Sequence, residues 1–271
     1  MSELKDKQYL NSSNFRSRIF LHYKYSRNKY SWPLWVFDNI SKPDSAKVLE
    51  IGCGNGLLWK VNEERIPGGW DITLTDFSKG MLQDAENIIG RGKSNIKYEV
   101  MNAESIQYED NTFDIIFANH MMYHIRDRKK AISEIRRVLK TGGVFYATTM
   151  QKGYMKEMGN LVREFYKLPQ VEDSSTIVIE NFSLQNGEQQ LKEYFEDVEL
   201  KIYENSLIIT DAGPLVEYAT SLKDIAPGVE LFIDKVKDQF TEFVQSKIEN
   251  EGCINISADS GIFINRNTII G

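Results

Sequence analysis

Up to about residue 150 the chain alternates two hydrophobic rhythms, and beyond it the alternation fades. Short apolar runs, rich in β-branched and aromatic residues, occupy Lys47–Ile51, Asp71–Thr75, Ile96–Met101, Phe113–Ala118 and Val144–Thr149. Runs of this length and composition predict buried strands. Between them apolar residues recur at helical spacing. One such stretch is Leu57–Glu64. A second carries Met81, Leu82, Ala85, Ile88 and Ile89 behind Ser78, a residue suited to N-capping, and Gly90 and Gly92 end it. A third, Asp127–Leu139, places Ala131, Ile132, Ile135, Val138 and Leu139 on one face, with Thr141-Gly142-Gly143 as its C-cap. Strands alternating with helices predict a parallel sheet covered on both faces.

After Met150 the pattern predicts a helix over Tyr154–Leu168, a polar irregular stretch over Pro169–Glu180 and a helix over Gly187–Phe195. A sixth strand follows over Val198–Thr210, then helices over Pro214–Leu222 and Val229–Ile248. Either Cys253–Ile256 or Gly261–Asn265 supplies a last strand. Ahead of the first strand, Leu10–Ile40 is dense in aromatics and cations, and Pro33 suits the first turn of a helix running to Ile40. We read the chain as one α/β domain over 1–271. Residues 1–42 form an N-terminal aromatic cap, 151–185 an insertion or lid, and 211–250 a helical insertion before the last strand.

The first strand ends in an acid and runs into alternating glycines, Glu50-Ile51-Gly52-Cys53-Gly54-Asn55-Gly56. A dinucleotide fingerprint needs a third glycine where this chain has Leu57, which removes a nicotinamide oxidoreductase. The spacing present is similar to the first motif of class I S-adenosylmethionine-dependent methyltransferases. The resemblance extends across residues 47 to 150. Asp76, twenty residues after Gly56, stands where that family places a ribose-binding acid. Asn102-Ala103-Glu104 falls at the adenine-edge position, and Phe113–Ala118 resembles the fourth-strand motif. Arg136-Arg137-Val138-Leu139-Lys140-Thr141-Gly142-Gly143 resembles the turn before strand five. Thr141 replaces the usual proline there, and Asn102 the frequent aspartate. The resemblance implies a Rossmann-like class I methyltransferase fold: a seven-stranded, mostly parallel sheet with an antiparallel last strand and helices on both faces.

It also implies S-adenosyl-L-methionine as cofactor, and the residue chemistry agrees. A glycine-lined helix start offers N–H groups to the methionine carboxylate, at Gly52, Gly54, Asn55 and Gly56. Glu50 can hold the amine, directly or through water, and Asn119 can contact the same end. Asp76 has two acceptor oxygens for two ribose hydroxyls. Phe77 and Met81 can sandwich the adenine, with Asn102, Ala103 and Glu104 at its edge. Methyl transfer from a sulfonium needs alignment and exclusion of water more than acid–base chemistry. A base serves only a nucleophile that carries a tightly held proton. His120 and His124, just past strand four, are the candidates, and Tyr25 is a candidate to close over the sulfonium. For each, hydrogen bonding within a loop or ring packing is the plain alternative.

Composition narrows the acceptor. A net charge of -6 and a pI near 5.3 disfavour nucleic acid. The segment after strand four lacks the Asn/Asp-Pro-Pro-Tyr/Phe signature of enzymes that methylate adenine amines or glutamine. Cys53 and Cys253 form no framework and no Cys-x-x-Cys, so no metal site is expected and a reducing compartment is. The N-terminus is polar and no long apolar run occurs, which predicts a soluble, cytoplasmic protein without a membrane span. The expected function is methyl transfer to oxygen or nitrogen of a small molecule. The alternatives are a macromolecular (protein or RNA) methyltransferase and a non-catalytic S-adenosylmethionine-binding regulatory module.

Overall fold

The computed structural model describes residues 13–90, 95–168, 179–221 and 234–268, without the side chains of 13–16 and 234–235. Most of the irregular stretch expected over Pro169–Glu180, the Gly92 helix end and the start of the helix expected from Val229 lie outside these residues.

In chain order the elements are α1 (Ser13–Tyr25), α2 (Trp32–Asp38), β1 (Ser45–Ile51), α3 (Leu57–Val61), β2 (Gly69–Asp76), α4 (Lys79–Ile89) and β3 (Ile96–Val100). Then come β4 (Phe113–Asn119), α5 (Arg128–Val138), β5 (Leu139–Met150), α6 (Lys156–Phe165), α7 (Gly187–Lys192), β6 (Asp197–Tyr203) and β7 (Ser206–Ile209). Last are α8 (Ala212–Ser221), α9 (Asp234–Glu251), β8 (Ile254–Ser257) and β9 (Ser260–Arg266). They fall into two compact units. One takes the described parts of Tyr30–Met150, Asn181–Tyr203 and Ser260–Gly271, the other those of Met1–Lys29, Gln151–Glu180 and Glu204–Asp259.

The first unit holds a seven-stranded sheet in the order β3-β2-β1-β4-β5-β9-β6. Pairing is parallel from β3 through β5, and β9 runs antiparallel between β5 and β6. Its central strands are apolar on both sides because both faces are covered. Val48, Ile115, Phe117 and Tyr146 join Phe37 of α2, Trp59 of α3 and Ile89 of α4 in one core. On alternate residues, the Phe145 ring meets Phe195 and the Phe263 ring meets Phe182, while α5 buries Ala131, Ile132, Ile135 and Val138. The Ser78 hydroxyl caps α4 by accepting from Met81 N–H.

Two sequence expectations change. Thr141-Gly142-Gly143 is no helix cap: α5 ends at Val138, and the three residues lie inside β5. There the register with β4 jumps from Phe113↔Leu139 to Ile115↔Val144. The bulge survives because Asn267 supplies it with partners. Gly142 N–H donates to the Asn267 carbonyl at 2.7 Å, and Asn267 N–H to the Gly143 carbonyl at 2.9 Å. The Asn267 side chain donates to the Leu139 carbonyl at 2.9 Å. The second change is the strand expected over Val198–Thr210, which breaks after Tyr203. Asn205 N–H donates to the Asp259 carboxylate at 2.7 Å, so the chain turns, and β7 pairs with β8 in a separate two-stranded sheet. Both candidates for the last strand are therefore strands, each in its own sheet.

The second unit packs α1, α6, α8 and α9 with the β7–β8 pair. Leu21, Met158, Leu161, Leu215, Phe240, Val244 and Ile256 form its core. The expected insertions, where described past residue 150, contribute most of it.

Candidate active site

The carboxyl edge of the sheet gathers the chemistry, as it does in open α/β sheets generally. β1 delivers Glu50 and runs into the glycine turn. Gly52, Gly54 and Gly56 all adopt positive φ, at 71°, 57° and 75°. A Cβ at Gly52 would stand 2.9 Å from Met121 Cβ, and one at Gly56 would stand 2.5 Å from Ile89 Cδ1. Conformation and space thus both demand glycine there. The N–H groups of Cys53, Gly54, Gly56 and Leu57 are already bonded to Thr75 O, Asp76 Oδ2, Cys53 O and Asn55 Oδ1. α3 has only five residues. With these N–H groups engaged and so short a helix, the turn presents no strong helix dipole.

Two acids flank the turn. Asp76, at the end of β2, accepts from Gly54 N–H at 3.0 Å and from Ser78 N–H at 2.8 Å. It ties the turn to the second strand, and each oxygen keeps a further lone pair. Burial raises its pKa, opposed by these backbone donors. Glu50 is 1% exposed. One of its oxygens accepts from the Trp59 indole N–H, and the other accepts from Asn119 Nδ2 at 2.6 Å. Burial pushes its pKa up to about 7, against the pull of Asn119 and Trp59 and with a small push from Asp76. No basic side chain offsets it among the described residues. A desolvated carboxylate without a cation suits a ligand that carries an ammonium group.

The side expected to meet the adenine is more open. Phe77 is 67% exposed whereas Met81 is 2% exposed, so of the two expected sandwich residues only Phe77 presents its surface. Asn102 is exposed and accepts from Glu104 N–H at 3.0 Å, Ala103 is buried, and the Glu104 carboxylate accepts from Asp127 N–H at 3.1 Å.

Beyond β4, His120 takes a left-handed φ of 48°. Its ring lies 5.0 Å from that of Trp32, which stacks on Trp35, and Tyr203 meets both tryptophans edge-on. His124 sits in the short 3-10 turn Met122–His124, its ring 4.5 Å from Tyr123. The structure thus brings together Glu50, the glycines, Asn55, Asp76, Asn119 and His120. Tyr25 belongs to the other unit and is buried in its core. The partners of Glu50 and His120, namely Trp59, Thr148 and Trp32, carry no motif of their own. Only the presence of a lone acid ending a buried strand signals that such partners must exist.

Comparison with known proteins agrees with this geometry. Residues 49–147 match a family described as a methyltransferase domain. The chain is 28% identical over 182 residues to the ubiquinone/menaquinone biosynthesis C-methyltransferase UbiE of Idiomarina loihiensis, covering 61% of this chain and 70% of that one. It is 27% identical over 119 residues to a ubiquinone biosynthesis O-methyltransferase of Coxiella burnetii, covering 44% of this chain but only half of the relative's length. Among solved structures, phosphoethanolamine N-methyltransferase 2 of Haemonchus contortus, in complex with S-adenosyl-L-methionine, aligns with a TM-score of 0.54 at 20% identity, over 89% of this chain and 53% of that one. That last likeness is one of fold. With the motif series, the sheet order and the matched domain in agreement, the chain carries a methyltransferase domain over residues 49–147, similar to those of the class I S-adenosylmethionine-dependent methyltransferases.

Proposed function

We propose that the chain moves a methyl group to oxygen or nitrogen of a small molecule, in the cytoplasm and without a nucleic-acid substrate. One observation carries the reading: a glycine turn flanked by two acids shares the carboxyl edge of the sheet with His120, which packs on Trp32. S-adenosylmethionine, when bound, supplies a methyl group already activated on a sulfonium.

We assign the cofactor to the turn residues Gly52, Gly54, Asn55 and Gly56, and to Glu50, which meets its ammonium with negative charge. Asn119 shares that end. Asp76 accepts from the ribose with its remaining lone pairs. Phe77 lies along the adenine with Met81 behind it, and Asn102, Ala103 and Glu104 serve the adenine edge. His120 is the group assigned to take a proton from an acceptor hydroxyl or ammonium, with His124 as the second candidate. Tyr25, built into the helical core, is assigned no step. The Idiomarina relative is named as a C-methyltransferase, which makes an activated carbon the competing acceptor atom.

The test is release of S-adenosylhomocysteine from S-adenosylmethionine across a panel of small phenols, amines and enolisable carbon acids. Turnover of a phenol or amine is expected, and mass spectrometry locates the new methyl. Methylation of a protein or RNA extract with no turnover in the panel would overturn the small-molecule reading.

A further inference from the structure

A residue other than glycine with left-handed φ is uncommon, and its surroundings must favour that conformation. His120 is held on both sides by contacts to the donor-side turn. Ahead of it, Asn119 is bonded to Glu50; behind it, Met121 packs over Gly52, against the space a Cβ would take. Its own N–H donates to Thr148 Oγ1 at 3.0 Å and to the Thr148 carbonyl at 3.2 Å.

These bonds run in one direction. His120 N–H donates to the Thr148 hydroxyl. That hydroxyl faces Asn119 Oδ1 at 3.4 Å, and Asn119 Nδ2 donates to Glu50 Oε1 at 2.6 Å. The Trp59 indole N–H closes the other Glu50 oxygen. The Glu50 carboxylate takes the Asn119 NH2 and the Thr148 hydroxyl donates to Asn119 Oδ1, so the two together fix which way the Asn119 amide points. Thr148 is fully buried and Glu50 nearly so. Hydrogen bonds chained in such a medium polarise one another, and a change at the carboxylate is felt along the line.

We propose that Thr148, acting through Asn119, is a positioning residue that ties the His120 backbone to the Glu50 carboxylate beneath the glycine turn, so that filling the donor side is transmitted to the imidazole on the acceptor side. The inference rests on the reading of the turn as the cofactor site. Thr148 touches no reacting atom. Its hydroxyl sets the angle from which His120 addresses the acceptor, and valine keeps its shape while removing the relay.

The experiment uses the full chain with ring-labelled histidine. There are three histidines, His22, His120 and His124, so single substitutions assign every resonance. S-adenosylhomocysteine is added to saturation, with its affinity measured separately by calorimetry. In the wild type the His120 resonances shift on binding, while those of His22 serve as the control. In Thr148→Val the affinity is retained and the His120 shift is lost; Thr148→Ser restores it. A Thr148→Val protein whose His120 shift equals that of the wild type overturns the relay alone. A wild type whose His120 resonances ignore the bound ligand also overturns it. A wild type that does not bind S-adenosylhomocysteine overturns the cofactor site and the relay with it. If valine prevents folding, judged by circular dichroism, Thr148→Ala makes the same comparison.

Discussion

Glu50 of the sheet unit and His22 of the helical unit are both taken out of water, and the two are mirror cases. In the sheet unit Glu50 is desolvated and its pKa rises to about 7. In the helical unit His22 is desolvated and its pKa falls to about 4. The cause is the same, since burial disfavours whichever form is charged. His22 is content as a neutral ring: its Nε2 lies 3.0 Å from Tyr154 Oη, and Tyr154 and Tyr218 flank it. Glu50 is surrounded by donors, Trp59 and Asn119, which favour the charge that burial opposes. The first arrangement is a core finished in itself. The second leaves a carboxyl group that the ammonium of the proposed cofactor would complete. A buried ionisable group points to a ligand when its partners pull against its burial.

The comparison breaks most visibly at Asp76, the second acid of the sheet unit. Asp76→Ala removes the anchor of Gly54 N–H and the assigned ribose acceptor together. Affinity for S-adenosylhomocysteine should fall about 100-fold or more, roughly 3 kcal/mol for charge-assisted bonds lost in a buried site. Near-unchanged binding by calorimetry would remove Asp76 from the ribose.

Next come the two hidden groups themselves, followed by chemical denaturation of the ligand-free protein across pH. Glu50 has a folded pKa above its ordinary 4.5, so its favourable contribution is full below pH 4.5 and is lost as pH rises to about 7. His22 has a folded pKa below its ordinary 6.5, so its contribution is full above pH 6.5 and is lost as pH falls to about 4. Each is worth at most about 3 kcal/mol over its window, and the slopes oppose one another between pH 4.5 and 6.5. Glu50→Gln should therefore leave a stability that rises with pH there, and His22→Gln one that falls. Parallel profiles for both variants would end the mirror description.

A smaller effect sharpens the His22 half. Tyr154→Phe removes the hydroxyl facing Nε2 and should cost about 1–2 kcal/mol, with little change in cofactor affinity. The smallest belongs to Ser78→Ala at the start of α4, about 1 kcal/mol by loss of an N-cap, read as a lower denaturation midpoint. A midpoint equal to that of the wild type would show the cap to be idle.

Much of the sheet unit was legible because its signals are local. The strand runs, the capping serine and the alternating glycines each announce themselves within about ten residues. What the sequence hid depends on contacts far along the chain. Trp59 reads as one more apolar helix residue until Glu50 is seen beneath it. Thr148 reads as an ordinary strand position. The glycines at 142 and 143 look like a helix end because nothing nearby shows that Asn267 will strap them into a strand. The break after Tyr203 is equally silent, since Asp259, which turns the chain at Asn205, lies more than fifty residues on. The adenine side divides on exposure: Phe77 and Met81 are both apolar, and only the packing of α4 buries the second.

The position of β9 has a consequence for the order in which the molecule can be made. β6 bonds to no strand of its sheet except β9, and β9 is supplied by residues 260–266. Until a ribosome has delivered those residues, Asp197–Tyr203 has no neighbour to join, although β1 to β5 can already pair. All the chain of the helical unit, through Asp259, precedes them. During synthesis the sheet therefore waits, open along β5, until the segment that follows Asp259 has emerged.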